Sequence, residues 1–468
     1  MNLTNEIKNK IGPCTDYIFK DIVIKNTKVN LIFNEVLCSG SDINDFILRT
    51  FSKIKEKDLK NIINLIPENN IKEIDKNSIF NYLNNGFLIC IIKNTILAIE
   101  VRLRLDRGVT TIESELSLVG PKDSFCENFN INLGLIRRRI KSSNLWCEEI
   151  TIGRLSKTKT GVLYINNICD KDNVLKVKKL LSNIDIDSII DSSYVKDVLE
   201  DNNNSFFPTV MSSERPDKVA MALSEGKIAI IVDTSSYVLI LPNFFINFFQ
   251  TVDDYYQNSL NATFNRIIRV FAFFISIFIP ALYIAVTTYN QDSIPLSLLL
   301  LLKAGRHAIP FPAVIETIFM IISFEILRES DIRMSSTTGT AISILGGLIL
   351  GDAAINALII TPTMIIVIAL SSIASFVFTS VELINAIRMY RIILIVLSCF
   401  LGIYGIYIGG CYMLYKLISL KSLTKPYLSP FSPFIKQEQK DAIYKESNTS
   451  IKYRNPLLTK NKVRGRYK

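Results

Sequence analysis

The sequence predicts an α/β cytoplasmic head of two small subdomains, followed by an all-α helical transmembrane domain. Three observations carry this expectation. At 468 residues the chain is long enough for several domains. Its mean hydropathy is +0.29, an average that joins a polar N-terminal part to an apolar C-terminal one. The change of solvent falls at Arg266: from Val270 onward the chain is a series of long apolar runs, and roughly 20 such residues cross a hydrocarbon core.

Residues 1–130 are expected to form the first subdomain. Leu31–Phe51 reads as a strand entering a helix. Phe87–Ile92 and Thr95–Val101 are apolar runs broken at Lys93-Asn94, the pattern of a β-hairpin. The second subdomain and a coupling segment occupy residues 131–265. Asn132–Lys141 is a basic helix carrying Arg137, Arg138 and Arg139. Those charges suit a solvated face or a subunit contact better than a phosphate site. Thr160–Ile168 is a predicted strand. Asp172–Asn183 is a helix by the spacing of Val174, Leu175, Val177, Leu180 and Leu181. A short strand-then-helix pattern repeats over Ile184–Glu200, and Lys227–Leu241 reads as two strands joined near Asp233–Ser236.

Residues 266–420 are the predicted helical transmembrane domain. Val270–Tyr289 is one span. Met334–Val381 holds two, divided near Thr361-Pro362-Thr363, and Ile392–Tyr415 makes another. Ile294–Leu327 is broken by Lys303, Arg306, His307, Pro310 and Pro312. Interrupted backbone at membrane depth must be buried in protein or line a wet cavity, so a re-entrant or interfacial hairpin is expected here. Four crossings plus that hairpin return the tail to the side of the head; a fifth crossing would place it opposite. The tail, residues 421–468, carries twelve Lys/Arg against three Asp/Glu. A basic stretch after a membrane helix predicts a cytoplasmic tail near anionic lipid rather than a nucleic-acid site.

Charges inside a bilayer are costly. Glu316 and Asp352 are therefore candidates for a polar path, against a buried hydrogen-bonded structural role. Glu325 with Arg328, and Glu329 with Arg333, have helix-end ion-pair spacing. Gly347/Gly351 and Gly405/Gly409 have the G-x-x-x-G spacing, which lets helices approach closely or lines a narrow pore.

Other classes fit poorly. The first residues, Met1–Pro13, lack the apolar core of a signal peptide. Eight cysteines contain no C-x-x-C pair, and His307 is the only histidine, so no metal site, cofactor or catalytic residue is expected. There is no G-x-G-x-x-G, P-loop or nucleophile elbow. A secondary transporter would show a second broken segment; a membrane-anchored signalling scaffold remains an alternative.

Several phrases are distinctive: Ser213-Glu214-Arg215-Pro216-Asp217, Gly226–Asp233, Phe248–Tyr256, Pro280–Tyr283, Thr287–Gln291, Pro310-Phe311-Pro312, Phe324–Glu329 and Pro426-Tyr427-Leu428. By these the chain resembles the A subunit of the GerA family of spore germinant receptors, over about residues 30 to 434. His307, Ser335 and Val119 depart from the family's usual residues. The resemblance implies a receptor of three different subunits in the inner membrane of the dormant spore. Its partners would be a transporter-like B subunit that binds the nutrient, a lipoprotein C subunit, copies of this chain, and membrane lipid. The A subunit would oligomerise and pass ions or the opening signal. The motif residues Glu214, Arg215, Pro216, Asp217, Asp233, Gln250, Asp254 and Tyr255 are expected to couple head to membrane; Glu316, Asp352, Gly347 and Gly351 would line the path.

Overall fold

The structure, a computed structural model, describes residues 3–24, 27–48, 71–92, 95–103, 115, 119–200, 205–333, 346–347, 349, 351–447, 449–460 and 463–464. Two antiparallel five-stranded sheets organise the head. The first is built from β1 (Tyr17–Ile24), β2 (Thr27–Asn34), β3 (Ile71–Glu73), β4 (Phe87–Ile92) and β5 (Thr95–Glu100), in the order β1-β2-β4-β5-β3. The predicted hairpin is β4–β5, with Ile92 opposite Thr95. Every residue of β4 is buried, because both faces of this strand are covered. Leu88, Cys90 and Ile92 pack on one side; Phe87, Ile89 and Ile91 meet helices α1 (Leu3–Ile11) and α2 (Ile79–Leu83) on the other, following the period-2 alternation of a strand.

The second sheet follows α3 (Phe129–Arg139). It contains β6 (Leu145–Ile152), β7 (Thr158–Ile165), β8 (Met211–Ser213), β9 (Ile228–Val232) and β10 (Val238–Leu241), ordered β6-β7-β9-β10-β8. Helices α4 (Lys171–Ser182) and α5 (Ser192–Leu199) cover one face through Val174, Val177, Leu181, Val195 and Leu199. On the other face lie α3 and α6 (Pro216–Ser224).

Two expectations are corrected here. Ile184–Asp191 forms no strand; it is irregular chain leading to the Asp191 cap of α5. Of the arginines of α3 only Arg138 is exposed, so the three do not form one solvated face. Arg137 is 2% exposed and donates to Asp16 at 2.8 Å, while Arg139 pairs with Asp123 at 2.6 Å. The Arg137–Asp16 pair joins the two sheets' subdomains. Beside it Gly12, at φ +70°, lies so close to the Trp146 ring that a Cβ there would stand 2.4 Å from it.

The helical part starts with α7 (Ser259–Thr288), 30 residues capped by Asn258 and continuing through Pro280. It is followed by α8 (Leu296–Arg306), α9 (Ala313–Arg333), a helical stretch at 351–356, α10 (Pro362–Ser375), α11 (Val381–Leu401) and α12 (Ile403–Ser419). Among the described residues, α7 and α11 are long and apolar enough to cross a membrane. The division at Thr361-Pro362 is present: Thr361 caps α10, and Pro362 occupies its first turn, where a missing N–H costs nothing. Residues 334–345, in the predicted first half of that region, lie outside the described residues.

Ile392–Tyr415 is not one span. The helix stops at Gly402, φ +59°, whose neighbour Ile403 donates its N–H to Asn290 Oδ1 at 3.3 Å. The chain then folds back. Successive glycines make this possible: a Cβ on Gly405 would lie 2.2 Å from the Leu397 carbonyl oxygen, and one on Gly409 would lie 2.4 Å from Leu394. The Gly405/Gly409 spacing therefore serves helix packing within the chain.

Helix α7 runs from the head to the α11–α12 turn, where the Tyr289 hydroxyl donates to the Cys399 carbonyl at 2.6 Å. Helix α10 runs back along it, Ser371 donating to the Ser276 carbonyl at 2.9 Å. A single apolar core extends from the second sheet through the bundle. Phe245, Phe249, Phe273 and Phe378 bridge the two parts with ring separations of 5.1 to 5.6 Å between Phe245 and Phe249, Phe249 and Phe273, and Phe249 and Phe378. Head and bundle are thus continuous in their packing. The basic tail folds back along the head, with Lys425 on Asp170 at 3.1 Å and Arg464 on Glu225 at 2.7 Å.

Candidate functional site: the junction of head, first long helix and tail

The phrase Glu214–Asp217 begins α6. Arg215 stands in extended conformation at its cap, and Pro216 fills the first helical position. This geometry turns the Arg215 side chain onto Asp217, 2.7 Å away, and toward Asp253 at 3.4 Å. Both Arg215 and Asp217 are buried. The Tyr256 hydroxyl donates to Asp217 at 2.9 Å. Burial alone would raise the Asp217 carboxyl, but the hydrogen bonds and charge of Arg215 outweigh it and hold the group below its ordinary value. On Tyr256 burial, then Asp217, push the phenol up to about 12 against a smaller opposing effect of Arg215.

One turn later in the chain is a second buried cluster. Asp254, 1% exposed, accepts from Arg266 at 3.1 Å and Arg269 at 2.8 Å, both on the first turns of α7. Arg266 is wholly buried and also reaches Asp441 of the tail at 3.0 Å. The Tyr255 hydroxyl donates to Asp441 at 2.9 Å, and Gln250 donates to the Asp441 carbonyl. Lys445, also from the tail, donates to the Asp254 carbonyl at 2.8 Å. Its ammonium and the Arg266 guanidinium stand 5.2 and 5.5 Å from the Tyr255 ring, positions in which cations are attracted to a ring face. Asp254 is held below its ordinary value, because the two arginines more than offset burial. The coupling turn, α7 and the distant tail are tied by one guanidinium, Arg266, and two carboxylates, Asp254 and Asp441. Breaking such a pair leaves a charge buried without compensation, which costs roughly 3–5 kcal/mol.

The structure brings Arg215, Asp217, Gln250, Asp254 and Tyr255 to this junction. Pro216 and Glu214 support it: the Glu214 carbonyl accepts from Phe125 N at 2.9 Å. Asp233 lies apart, accepting from Phe129 N at 3.1 Å at the start of α3. The sequence reading missed Arg266, Arg269, Asp441 and Lys445. Arg266 and Arg269 could have been noticed as two cations, three residues apart, at the mouth of an apolar helix. Nothing local distinguishes Asp441 in the tail.

The proposed path residues are dispersed. Glu316 is buried and accepts from Thr361 N and Oγ1 at 3.0 and 3.1 Å, with Arg306 at 3.5 Å. It completes the cap of α10. Glu325 lies 3.8 Å from Arg328, but Arg388 and Arg391 are closer, at 2.7 and 3.0 Å. Asp352 and Gly347 are exposed, and a Cβ at Gly347 or Gly351 would meet nothing within 4 Å among the described residues.

A buried ionic joint between a head and an apolar helix narrows the protein's kind without naming it; similarity decides the family. The model for the Bacillus/Clostridium GerA spore germination protein matches residues 5–457. The chain belongs to the GerA family of spore germination proteins, the A subunits of spore germinant receptors. Spore germination protein KA of Bacillus subtilis is 43% identical over 339 residues, covering 72% of this chain and 62% of that one. Spore germination protein GerQA of Bacillus cereus is 34% identical over 459 residues, 97% of this chain and 91% of that one. The crystal structure of the N-terminal domain of the A subunit of the Bacillus megaterium germinant receptor GerK3 covers 52% of this chain and 94% of its own, at 32% identity and a TM-score of 0.40. The GerA match runs across head, helices and most of the tail, so the junction lies wholly inside the family region.

Proposed function

We propose that this chain is the A subunit of a nutrient germinant receptor in the spore inner membrane, and that it transmits the germination signal by oligomerising and gating an ion path. The observation that carries the reading is the Asp254–Arg266–Asp441 joint. A movement of the head or tail reaches α7 through buried charges that have no slack, so the joint is suited to bias a two-state arrangement of the helices. In this reading a transporter-like B subunit reads the nutrient, a lipoprotein C subunit and membrane lipid complete the assembly, and head and tail face the cytoplasm. Gly347, Gly351 and Asp352 form the open face available to the path or to another copy of the chain; Glu316 holds the start of α10 beside it.

The test uses spores carrying Tyr255→Phe, which removes the bond to Asp441 while keeping the ring. Normal protein level with slowed germinant-triggered ion release is expected. Unchanged release would remove the joint from the signal route. Asp352→Ala and Gly347→Leu test the path separately, and unchanged release in both would leave that face without a role.

A further inference from the structure

A cavity of about 540 Å³ adjoins the joint, lined by α6 and Lys227 just before β9, by the coupling segment with Tyr255, and by the tail with Asp441. Its size falls in the range of small-molecule sites, roughly 300–1,000 Å³. Charges of both signs line it, and nearly all are matched within the protein. Arg139 pairs with Asp123, Lys218 with Glu115 at 2.6 Å, Arg464 with Glu225, and Asp441 with Arg266. Two are not matched by an opposite charge among the described residues. Lys227, 8% exposed, has Asn247 Oδ1 as its hydrogen-bond partner at 2.7 Å and no carboxylate within 4.0 Å. Glu438, half-buried in the tail, has no cation within that distance.

Both residues line the same space, one from the head and one from the tail, near enough to feel each other's charge but not within 4.0 Å. Buried charges without a partner are costly, and the cost shows in both groups. Burial holds the Lys227 ammonium down to about 8, and burial with the neighbouring Glu225 and Asp441 pushes the Glu438 carboxyl up to about 7. The lining also has an apolar part, with Phe244, Ile246 and Val252.

We propose that this cavity binds a small zwitterion, its carboxylate on Lys227, its ammonium on Glu438 and its apolar body against Phe244, Ile246 and Val252. Such a ligand supplies each charge with a direct ion pair, where the described chain offers only more distant opposite charges. It also connects the tail to the head at the level of Asn247 and Gln250, next to the joint. The site is separate from nutrient binding by a partner subunit and does not depend on that assignment.

The experiment measures binding to the purified full-length chain in detergent, by isothermal titration. The probes are ω-amino acids of graded length: glycine, γ-aminobutyrate and ε-aminocaproate. One of the series is expected to saturate a single site. Lys227→Met and Glu438→Gln should each weaken it about tenfold or more, since each removes a charge-assisted contact. The swapped double variant, Lys227→Glu with Glu438→Lys, keeps one charge of each sign in the cavity and should recover binding that the single variants lose, which a merely misfolded cavity would not do. Failure of every probe to saturate would overturn the proposal and leave the cavity as solvent space. So would binding that survives both single substitutions, or caproate binding as tightly as its ω-amino counterpart.

Discussion

The junction and the far helices solve the same problem, polar groups near an apolar bundle, in opposite ways. At the Arg266 joint buried charges meet their opposites from different segments: Asp254 from the coupling turn, Arg266 from α7, Asp441 from the tail. The distal region leaves faces uncovered. Helix α8 has no buried residue, with Leu296, Leu298, Leu300 and Leu301 all at least half exposed, and a Cβ at Gly347 would meet nothing within 4 Å among the described residues. Tight mutual pairing fixes the relative placement of head and α7 within one chain. Open apolar and small-residue faces need something outside the described chain, lipid or protein, to cover them. One region is built for rigidity, the other for contact.

The largest effect should come from breaking the rigid side. Arg266→Ala leaves Asp254 and Asp441 short of a shared cation, and a loss of roughly 3–5 kcal/mol of stability is expected. Thermal unfolding in detergent, or proteolysis between head and helices, reads it. A variant as stable as the parent would mean that the joint is not a fixed contact.

Glycine substitutions sharpen the contrast at smaller cost. Gly405→Leu drives a side chain into the Leu397 backbone, and overpacking of this kind costs about 1–3 kcal/mol or more. Gly347→Leu meets nothing among the described residues, so the purified protein should melt unchanged while germinant-triggered release changes. Equal destabilisation by both would erase the distinction between the closed and the open glycine pair.

Acid gives the next effect. Asp217 and Asp254 titrate below their ordinary value of 3.8, so their stabilising contribution is complete above that value and is lost as pH falls through the lower folded values. The groups that face them are Arg215 and Tyr256 for Asp217, and Arg266, Arg269 and Thr251 for Asp254. Melting temperature should fall as pH drops below about 4, into the range where those carboxylates protonate. Asp217→Asn should flatten that fall in part, and an unaltered slope would show that Asp217 does not contribute.

How much of this was legible depends on range. The β4–β5 hairpin, α4 and the break at Thr361-Pro362 were readable, because alternation, helical spacing and proline chemistry are local signals. The edge strands β1 and β6 were not, since Tyr17–Ile24 and Leu145–Ile152 mix charged and apolar residues. The stop at Gly402 was hidden within an uncharged run, because hydropathy registers length and not a positive φ. The family phrase named Arg215, Asp217, Asp254 and Tyr255, which the structure sets around one junction. Its partner Asp441 comes from a tail that composition describes only as basic, and no spacing rule reaches across 175 residues.

The smallest effect tests a second link. Lys196 of α5 pairs with Glu382 at the start of α11, 2.6 Å apart and partly exposed. The Ser380 hydroxyl donates to the same carboxylate at 2.7 Å and holds it in place. Partial exposure limits the strength of such a pair to about 1 kcal/mol or less, so Lys196→Met should shift the melting temperature little. The pair joins the head to α11 as the Asp254 joint joins it to α7. If the head moves the helices as one body, loss of this weak pair should slow germinant-triggered release only when combined with Tyr255→Phe, the double variant exceeding the sum of the singles. Strict additivity would mean that the two links act independently, and that α7 alone carries the movement of the head into the bundle.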